Sequence, residues 1–472
     1  MLTVLSEENV RNILENLTLD ELDEFRDVLS ESLHDFSTNA HAAAVGLWQQ
    51  PHRITTLHPD TQATTLYMPS CGPLGMGCKV VTLTSPETSQ DPDTKPISPT
   101  GVVNLFSTTG ELTGLVHAKT LTAFRTALAS SCLVHKRNSV KNITVFGTGM
   151  QAYWHIRLAL MMRGSTIRHV YLINRRFSES ANNVLKTFAT IPKKVKEREG
   201  WTSTKFAILT PTFHDYERLQ KEYIRSADII YCCTPSTEDL FDGSILTSHE
   251  GRKKGRLIVA VGSYTPQMRE LPEELLLLVT RAHERHHRHF HKHADEGGVI
   301  VVDTLDGVLK EAGEIIRARI SPNSLVELGE LVMLRRMHMD QSEDSEATSE
   351  ATSPSIGTPT EDIFDKSFRF RSSSPSISAV FGRSQSPTQR SISPSGHSSK
   401  SSGGGFRHHL RKLSGSSTER EKKKKEDSLS LWLSNGTVVY KSVGLGLMDL
   451  VVGKHLVDVA KKKGVGVEVA GF

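Results

Sequence analysis

The chain has 472 residues, a hydrophobic share of 37% and a net charge of +4, with a mean hydropathy of −0.30. That length allows two or three domains, the charge is too small to point to nucleic acid, and no apolar run approaches membrane-spanning length. The stretch from Met1 to Asp20 is acidic without a signal-like apolar core, and the five cysteines lack metal-site spacing, which predicts a soluble cytoplasmic protein with reduced, mostly buried thiols.

Residues 1–36 read as helical, with Ser6 as an N-cap and Thr18-Leu19-Asp20-Glu21 as a capping box ahead of a second helix. Residues 52–118 alternate apolar and polar in short runs, such as Thr65-Leu66-Tyr67-Met68 and Lys79-Val80-Val81-Thr82-Leu83. Glycine, proline and Asp/Ser clusters separate the runs, so this part predicts an antiparallel sheet. Thr120 to Lys136 is a helix rich in Ala and Leu. From 139 to 320, strand and helix alternate: Ile143–Phe146, Val170–Ile173, Ile229–Cys233, Leu257–Val261 and Val299–Val302. That rhythm predicts a doubly wound parallel sheet in an α/β fold.

Residues 339–427 are dominated by Ser, Pro, Glu, Arg and Lys, which cannot bury enough apolar surface to offset chain entropy. This Ser-rich insertion is predicted to be disordered. Ser353-Pro354, Thr358-Pro359, Ser374-Pro375, Ser386-Pro387 and Ser393-Pro394 make it a candidate for proline-directed kinases, and Arg411-Lys412-Leu413-Ser414 for a basic-directed one; a passive linker is the alternative. Order resumes at Leu429, with a strand at Thr437-Val438-Val439-Tyr440 and an amphipathic helix from Asp449 to Lys462 packing back on the body.

The first strand of the parallel region runs into Gly147-Thr148-Gly149-Met150-Gln151-Ala152 and then a helix. Gly147 permits the tight turn, Gly149 a close approach of backbone to a pyrophosphate, and Ala152 close helix–sheet packing. The second strand ends in Asn174-Arg175-Arg176. An uncharged residue followed by arginines suits a 2′-phosphate, so NADP(H) is favoured over NAD(H); the alternative is that the arginines open a helix in water. Between a helix and a later strand, His283, His286, His287, His289, His291 and His293 are interleaved with Arg281, Arg285, Arg288 and Lys292. The cations oppose a metal, and no metal site is predicted.

Together these segments resemble the ornithine cyclodeaminase/mu-crystallin family. The motifs are Arg53 after Gln50-Pro51-His52, Met68-Pro69, Lys79 at a strand start, Leu121-Thr122-Ala123-Phe124-Arg125-Thr126-Ala127 and the glycine turn. Gly262-Ser263 before Pro266, Glu270-Leu271, Gly313-Glu314 and Lys441-Ser442-Val443-Gly444 complete the set. The resemblance implies a Rossmann domain inserted into an α+β substrate and dimerisation domain made from both chain ends. The expected boundaries are 1–125, 126–337, the insertion 338–428, and 429–472 returning to the body.

The resemblance also assigns roles. Arg53 and Arg125 would hold a substrate carboxylate in their planar forks, and Lys79 would polarise or protonate a C=O or C=N group. The cofactor residues would be Arg125, Thr126, Gly147 to Gln151, Asn174 to Arg176, Thr234, Pro235 and Ser442 to Gly444. Tyr264 stands where cyclodeaminases carry a catalytic aspartate. It is open to two readings, a hydrogen-bond donor in catalysis or a packed aromatic. The resemblance is therefore closer to the mu-crystallin-like ketimine reductases, and a homodimeric, NAD(P)H-dependent reductase of a cyclic imino acid leads. Ornithine cyclodeaminase with catalytic NAD, or a non-catalytic NADPH-binding regulator, are the alternatives.

Overall fold

Two sheets account for all fifteen strands in the described part of the computed structural model, which covers residues 1–39, 47–84, 98–281, 297–332, 429–430 and 432–472. The Ser-rich insertion with its kinase motifs and the histidine cluster His283–His293 lie outside the described residues.

The first sheet begins with β1 (Leu2–Leu5), then β2 (Ile54–Leu57), β3 (Ala63–Gly72), β4 (Gly75–Thr84), β5 (Thr100–Phe106) and β6 (Leu112–His117). The antiparallel meander from β2 to β6 is the one the alternating pattern predicts. β1 is a correction to the all-helical reading of residues 1–36. It pairs parallel to β6 and antiparallel to β15 (Val467–Val469), so the chain ends meet there. A four-residue apolar run is too short to declare its period, and a free sheet edge made it a strand. The predicted caps hold on α1 (Glu7–Glu15) and α2 (Leu19–Asn39): Asn9 N donates to Ser6 Oγ at 3.2 Å and Thr18 N to Glu21 Oε2 at 2.9 Å. Helix α3 (Ala118–His135) is buried along most of its length and links the two sheets.

The second sheet is parallel throughout, in the order β13-β12-β14-β11-β10-β7-β8-β9. Its strands are β7 (Asn142–Phe146), β8 (His169–Ile173), β9 (Lys205–Leu209), β10 (Ile229–Cys232), β11 (Leu257–Ala260), β12 (Val299–Val302), β13 (Leu325–Glu327) and β14 (Val438–Lys441). Helix α4 (Met150–Arg163) follows β7. Strand order reverses between β7 and β10, the place where such sheets open a ligand crevice.

The returning strand β14 corrects an expectation. It enters the middle of this parallel sheet, between β11 and β12, rather than the substrate-side sheet. Its four residues are all buried, the pattern of a parallel strand covered on both faces. The chain then crosses back, and the C-terminal helix (Gly446–Lys463) packs on α2, α3, β3 and β4. It starts before the expected Asp449 and is buried from Gly446 through Gly453, so its first half has no polar face. The thiols are unpaired as expected, but Cys232 is buried while the other four are half-buried. No helix among the described residues is long and apolar enough to cross a membrane.

Candidate active site

The glycine turn lies at the sheet's switch point. Gly147 has a φ of +104°, and a Cβ there would meet Thr234 Cγ2 at 2.9 Å and Cys233 O at 3.0 Å, so β7 and β10 close only over glycine. Gly149 caps α4 in an extended conformation, with open space where a Cβ would lie. Ala152 is fully buried against the sheet. Thr148 Oγ1 lies 3.0 Å from Ser180 Oγ, Met150 is half-buried, and Gln151 Oε1 is buried without a hydrogen-bond partner. The N–H groups of the first turn of α4 therefore face an opening that fits an anion. Beyond β8, Asn174 Nδ2 donates to Arg176 O at 2.8 Å and shapes the turn; Arg175 and Arg176 are exposed and form no ion pair among the described residues. Thr126 is buried and donates its hydroxyl to Thr122 O at 2.8 Å within α3.

Beneath the opening, buried polar groups tie the strand ends together. Glu270 accepts from the backbone N–H of Thr234 (2.9 Å), Gly262 (2.7 Å) and Ser263 (3.2 Å). Burial raises its carboxyl to about 7, against the pull of Lys441 and these amides. Lys441 Nζ, fully buried at the end of β14, donates to Ser263 O and Ser263 Oγ at 2.6 Å and pairs with Glu314 at 3.2 Å. Asp303 accepts from Ser442 Oγ (2.8 Å), Val443 N (3.0 Å) and Gly444 N (2.7 Å), fixing the segment that crosses between the sheets. Thr234 is half-buried and Pro235 exposed beside this floor.

On the substrate side, Lys79 on β4 and Arg125 on α3 meet at Asp449. Lys79 Nζ lies 2.7 Å from Asp449 Oδ2, and Arg125 Nε 3.0 Å from Asp449 Oδ1. All three are nearly excluded from solvent. Burial lowers the Lys79 ammonium to about 8; Asp449 opposes the shift, while Arg125 and then Arg53 add to it. The guanidinium of Arg125 lies against Gly444, where a Cβ would come within 2.9 Å of Nη2. Gly444 has a φ of +85°, so both backbone and space require glycine.

Arg53 borders the same corner. Its Nε donates to Glu311 Oε1 at 2.9 Å, and its Nη2 to Glu311 Oε2 and to Val443 O, the latter at 3.0 Å. A cleft of about 70 Å³ opens here, lined by Arg53, Glu311, Thr304, Gly307, Val443 and Gly444 among others. Tyr264 is half-buried close enough to Arg53 for the guanidinium to oppose the upward shift that burial imposes on its phenol. Its hydroxyl has no hydrogen-bond partner among the described residues.

Lys79, Arg53, Arg125, Val443 and Gly444 are thus brought together, and the glycine turn, Thr234 and Ser442 form the adjoining floor. Asp303 in the floor and two members of the cationic corner were missed in the sequence. Asp449 had a legible signal, a single carboxylate in the run Leu447-Met448-Asp449-Leu450-Val451-Val452. Glu311 follows Lys310 in an ordinary helical segment and gave no local signal.

A doubly wound parallel sheet with a glycine turn at its switch point, set against a second sheet that carries the cationic corner, is the architecture of a two-domain dinucleotide-binding protein. The fold is similar to Thermococcus litoralis Delta(1)-pyrroline-2-carboxylate reductase, solved with NADH and L-proline. That likeness has a TM-score of 0.56 at 18% identity and covers 99% of this chain and 100% of that one.

In sequence, the chain is 27% identical over 358 residues to an uncharacterised protein of Saccharomyces cerevisiae, covering 72% of this chain and 89% of that protein. It is 33% identical over 168 residues to an uncharacterised cyclodeaminase of Dictyostelium discoideum, covering 34% of this chain and 44% of that one. It is also 28% identical over 273 residues to a Delta(1)-pyrroline-2-carboxylate reductase of Bacillus cereus, covering 56% and 68%. No protein-family model matches. These relatives and this fold are consistent with the resemblance to the ornithine cyclodeaminase/mu-crystallin family.

Proposed function

We propose that the protein is a nicotinamide-dependent reductase of a carboxylate-bearing imine, with NADP(H) preferred to NAD(H). One observation carries this reading: the Lys79 ammonium, lowered to about 8 by burial, shares Asp449 with Arg125 and feels the charge of Arg53, in a chain whose other sheet carries a dinucleotide-type glycine turn. Relatives described as imino-acid reductases and a cyclodeaminase support an enzyme of this class.

Gly147 to Gln151 would hold the pyrophosphate, Asn174 to Arg176 the adenosine end, and Thr234, Pro235 and Ser442 to Gly444 the nicotinamide side. When bound, the nicotinamide supplies hydride to the imine carbon. The substrate carboxylate is held by the unused N–H groups of Arg125 and Arg53, which fixes the imine relative to that face. Lys79 Nζ, aligned by Asp449, gives a hydrogen bond and then a proton to the imine nitrogen. Addition of hydride at carbon and a proton at nitrogen completes the reduction to an amine. Tyr264, a phenol raised further by burial, cannot take the carboxylate role that cyclodeamination requires at that position. Exposed Ile54 and Leu57 on edge strand β2, with Tyr67 opposite Ile54 on β3, support assembly as a homodimer through the first sheet.

The test is NADPH oxidation with five- and six-membered cyclic imino acids, in wild type and Lys79→Ala. Turnover that requires Lys79 is expected. Conversion of ornithine without net cofactor consumption, and no reduction of any imine, would overturn the proposal in favour of a cyclodeaminase.

A further inference from the structure

We propose that Glu311 sets the substrate class of this site, admitting imino acids with one carboxylate and rejecting dicarboxylates. The inference rests on the proposed function, which makes the Lys79–Arg125–Arg53 corner the seat of a substrate carboxylate.

The donors available are few. Arg53 commits Nε and Nη2 to Glu311 and Val443 O, leaving Nη1. Arg125 commits Nε to Asp449 and directs Nη1 at Met448 Sδ, leaving Nη2 against Gly444. Lys79 has two N–H bonds beyond the one given to Asp449. The unused nitrogen on each guanidinium matches one oxygen of a single carboxylate, and Lys79 keeps its remaining N–H bonds for the imine nitrogen.

Charge gives the same count. Lys79, Arg53 and Arg125 are paired directly with two carboxylates, Asp449 and Glu311. One ligand carboxylate neutralises the remaining positive charge. A second would lie in a cleft walled by Glu311, where the neighbouring His52 and Lys310 are already engaged with Asp306, and a like charge there is costly. The other acids nearby are already answered. Asp303 is buried and bonded to Ser442, Val443 and Gly444, whereas Asp306 is 62% exposed and paired with Lys310 at 2.7 Å. Glu311, at 19% exposure, is the carboxylate on the cleft wall that solvent screens poorly.

The experiment is calorimetric titration of wild type and Glu311→Gln, each with NADPH present, using L-proline and L-aspartate as probes with one and two carboxylates. Wild type is expected to bind proline at least roughly tenfold more tightly than aspartate, and Glu311→Gln to bring that ratio close to one by strengthening aspartate. Asp306→Asn should keep the wild-type ratio. Glu311→Ser, read in the same way, covers poor packing of the glutamine. An unchanged ratio in both Glu311 variants, or equal binding of the two probes by wild type, overturns the inference. Failure of wild type to bind either probe overturns instead the carboxylate corner, and the proposed function with it.

Discussion

Asp449 holds both buried cations of the site: one oxygen lies 2.7 Å from Lys79 Nζ and the other 3.0 Å from Arg125 Nε. The three side chains come from the C-terminal helix, β4 and α3, so this carboxylate also fastens the returning chain end to the first sheet. Removing its charge leaves two cations in a place that water does not reach. Asp449→Asn is therefore expected to cost about 3–5 kcal/mol of stability, the usual scale for breaking one side of a buried pair. Denaturant unfolding of the two proteins checks this. A loss below about 1 kcal/mol would show that the cations find compensation without Asp449.

The same carboxylate sets a pH dependence. Burial lowers Lys79 to about 8, and the charge of Asp449 is what keeps it from falling further. If the ammonium is the proton donor, kcat/KM for imine reduction is flat below about pH 8 and falls tenfold per pH unit above it. In Asp449→Asn the break moves to lower pH. The stability sign follows from the same shift. Between about pH 8 and the ordinary lysine range the unfolded chain binds more protons than the folded one, so this group makes stability rise with pH there. Below about pH 8 its charge is a constant cost. The pH–rate profiles of wild type and variant test the assignment, and a break that stays in place counts against Lys79 as the donor.

Lys79→Met removes the charge while keeping a long side chain. General acid catalysis accounts for about 10²–10⁴-fold in rate, so kcat should fall by that order while NADPH affinity is unchanged. Cofactor binding followed by fluorescence, beside turnover, separates the two. A variant that loses NADPH binding as well would place the lysine in the cofactor site or in folding.

What the sequence made legible followed from local composition. The strands β7, β8, β10, β11 and β12 are predominantly apolar runs and lie within a residue or two of their expected bounds. Lys79 and Arg125 were legible through the motifs that carry the resemblance, and each is also a charge inside an apolar segment. β9 was not among the expected strands, since Lys205-Phe206-Ala207-Ile208-Leu209 begins exposed and is only half-buried at the sheet edge. The strand at Val438–Lys441 was legible, but its place between β11 and β12 was not. Pairing partners are a property of the whole sheet, and nothing within four apolar residues names them. Asp449 carried the same signal as Lys79, yet an expected polar helix face concealed it. Glu311 meets Arg53 across 258 positions of sequence, a relationship that no local pattern encodes.

Cofactor preference is testable at the turn after β8. Arg175 and Arg176 are exposed and unpaired among the described residues, while Asn174 uses its amide to hold the turn at Arg176 O. A 2′-phosphate would gain charge-assisted bonds from the arginines that a 2′-hydroxyl cannot make. Replacing both arginines with alanine is expected to raise KM for NADPH about tenfold or more and to leave KM for NADH within about twofold. Equal losses for both cofactors would assign the arginines to general electrostatic attraction.

The two glycines of the turn should respond in opposite ways. Gly147 has a φ of +104° and backbone and side chain against it, so Gly147→Ala strains the chain at the junction of β7 and β10. A stability loss on the order of 1–3 kcal/mol is expected there whether or not cofactor is present. Gly149 has ordinary backbone angles and open space at its Cβ position. Gly149→Ala should therefore change stability by less than about 1 kcal/mol yet weaken NADPH binding about tenfold or more, because its methyl enters the space where a pyrophosphate approaches the N–H groups of α4. Melting curves with and without NADPH distinguish the positions. A Gly149→Ala protein that still gains the wild-type stabilisation from NADPH would mean that the phosphates do not lie over this turn.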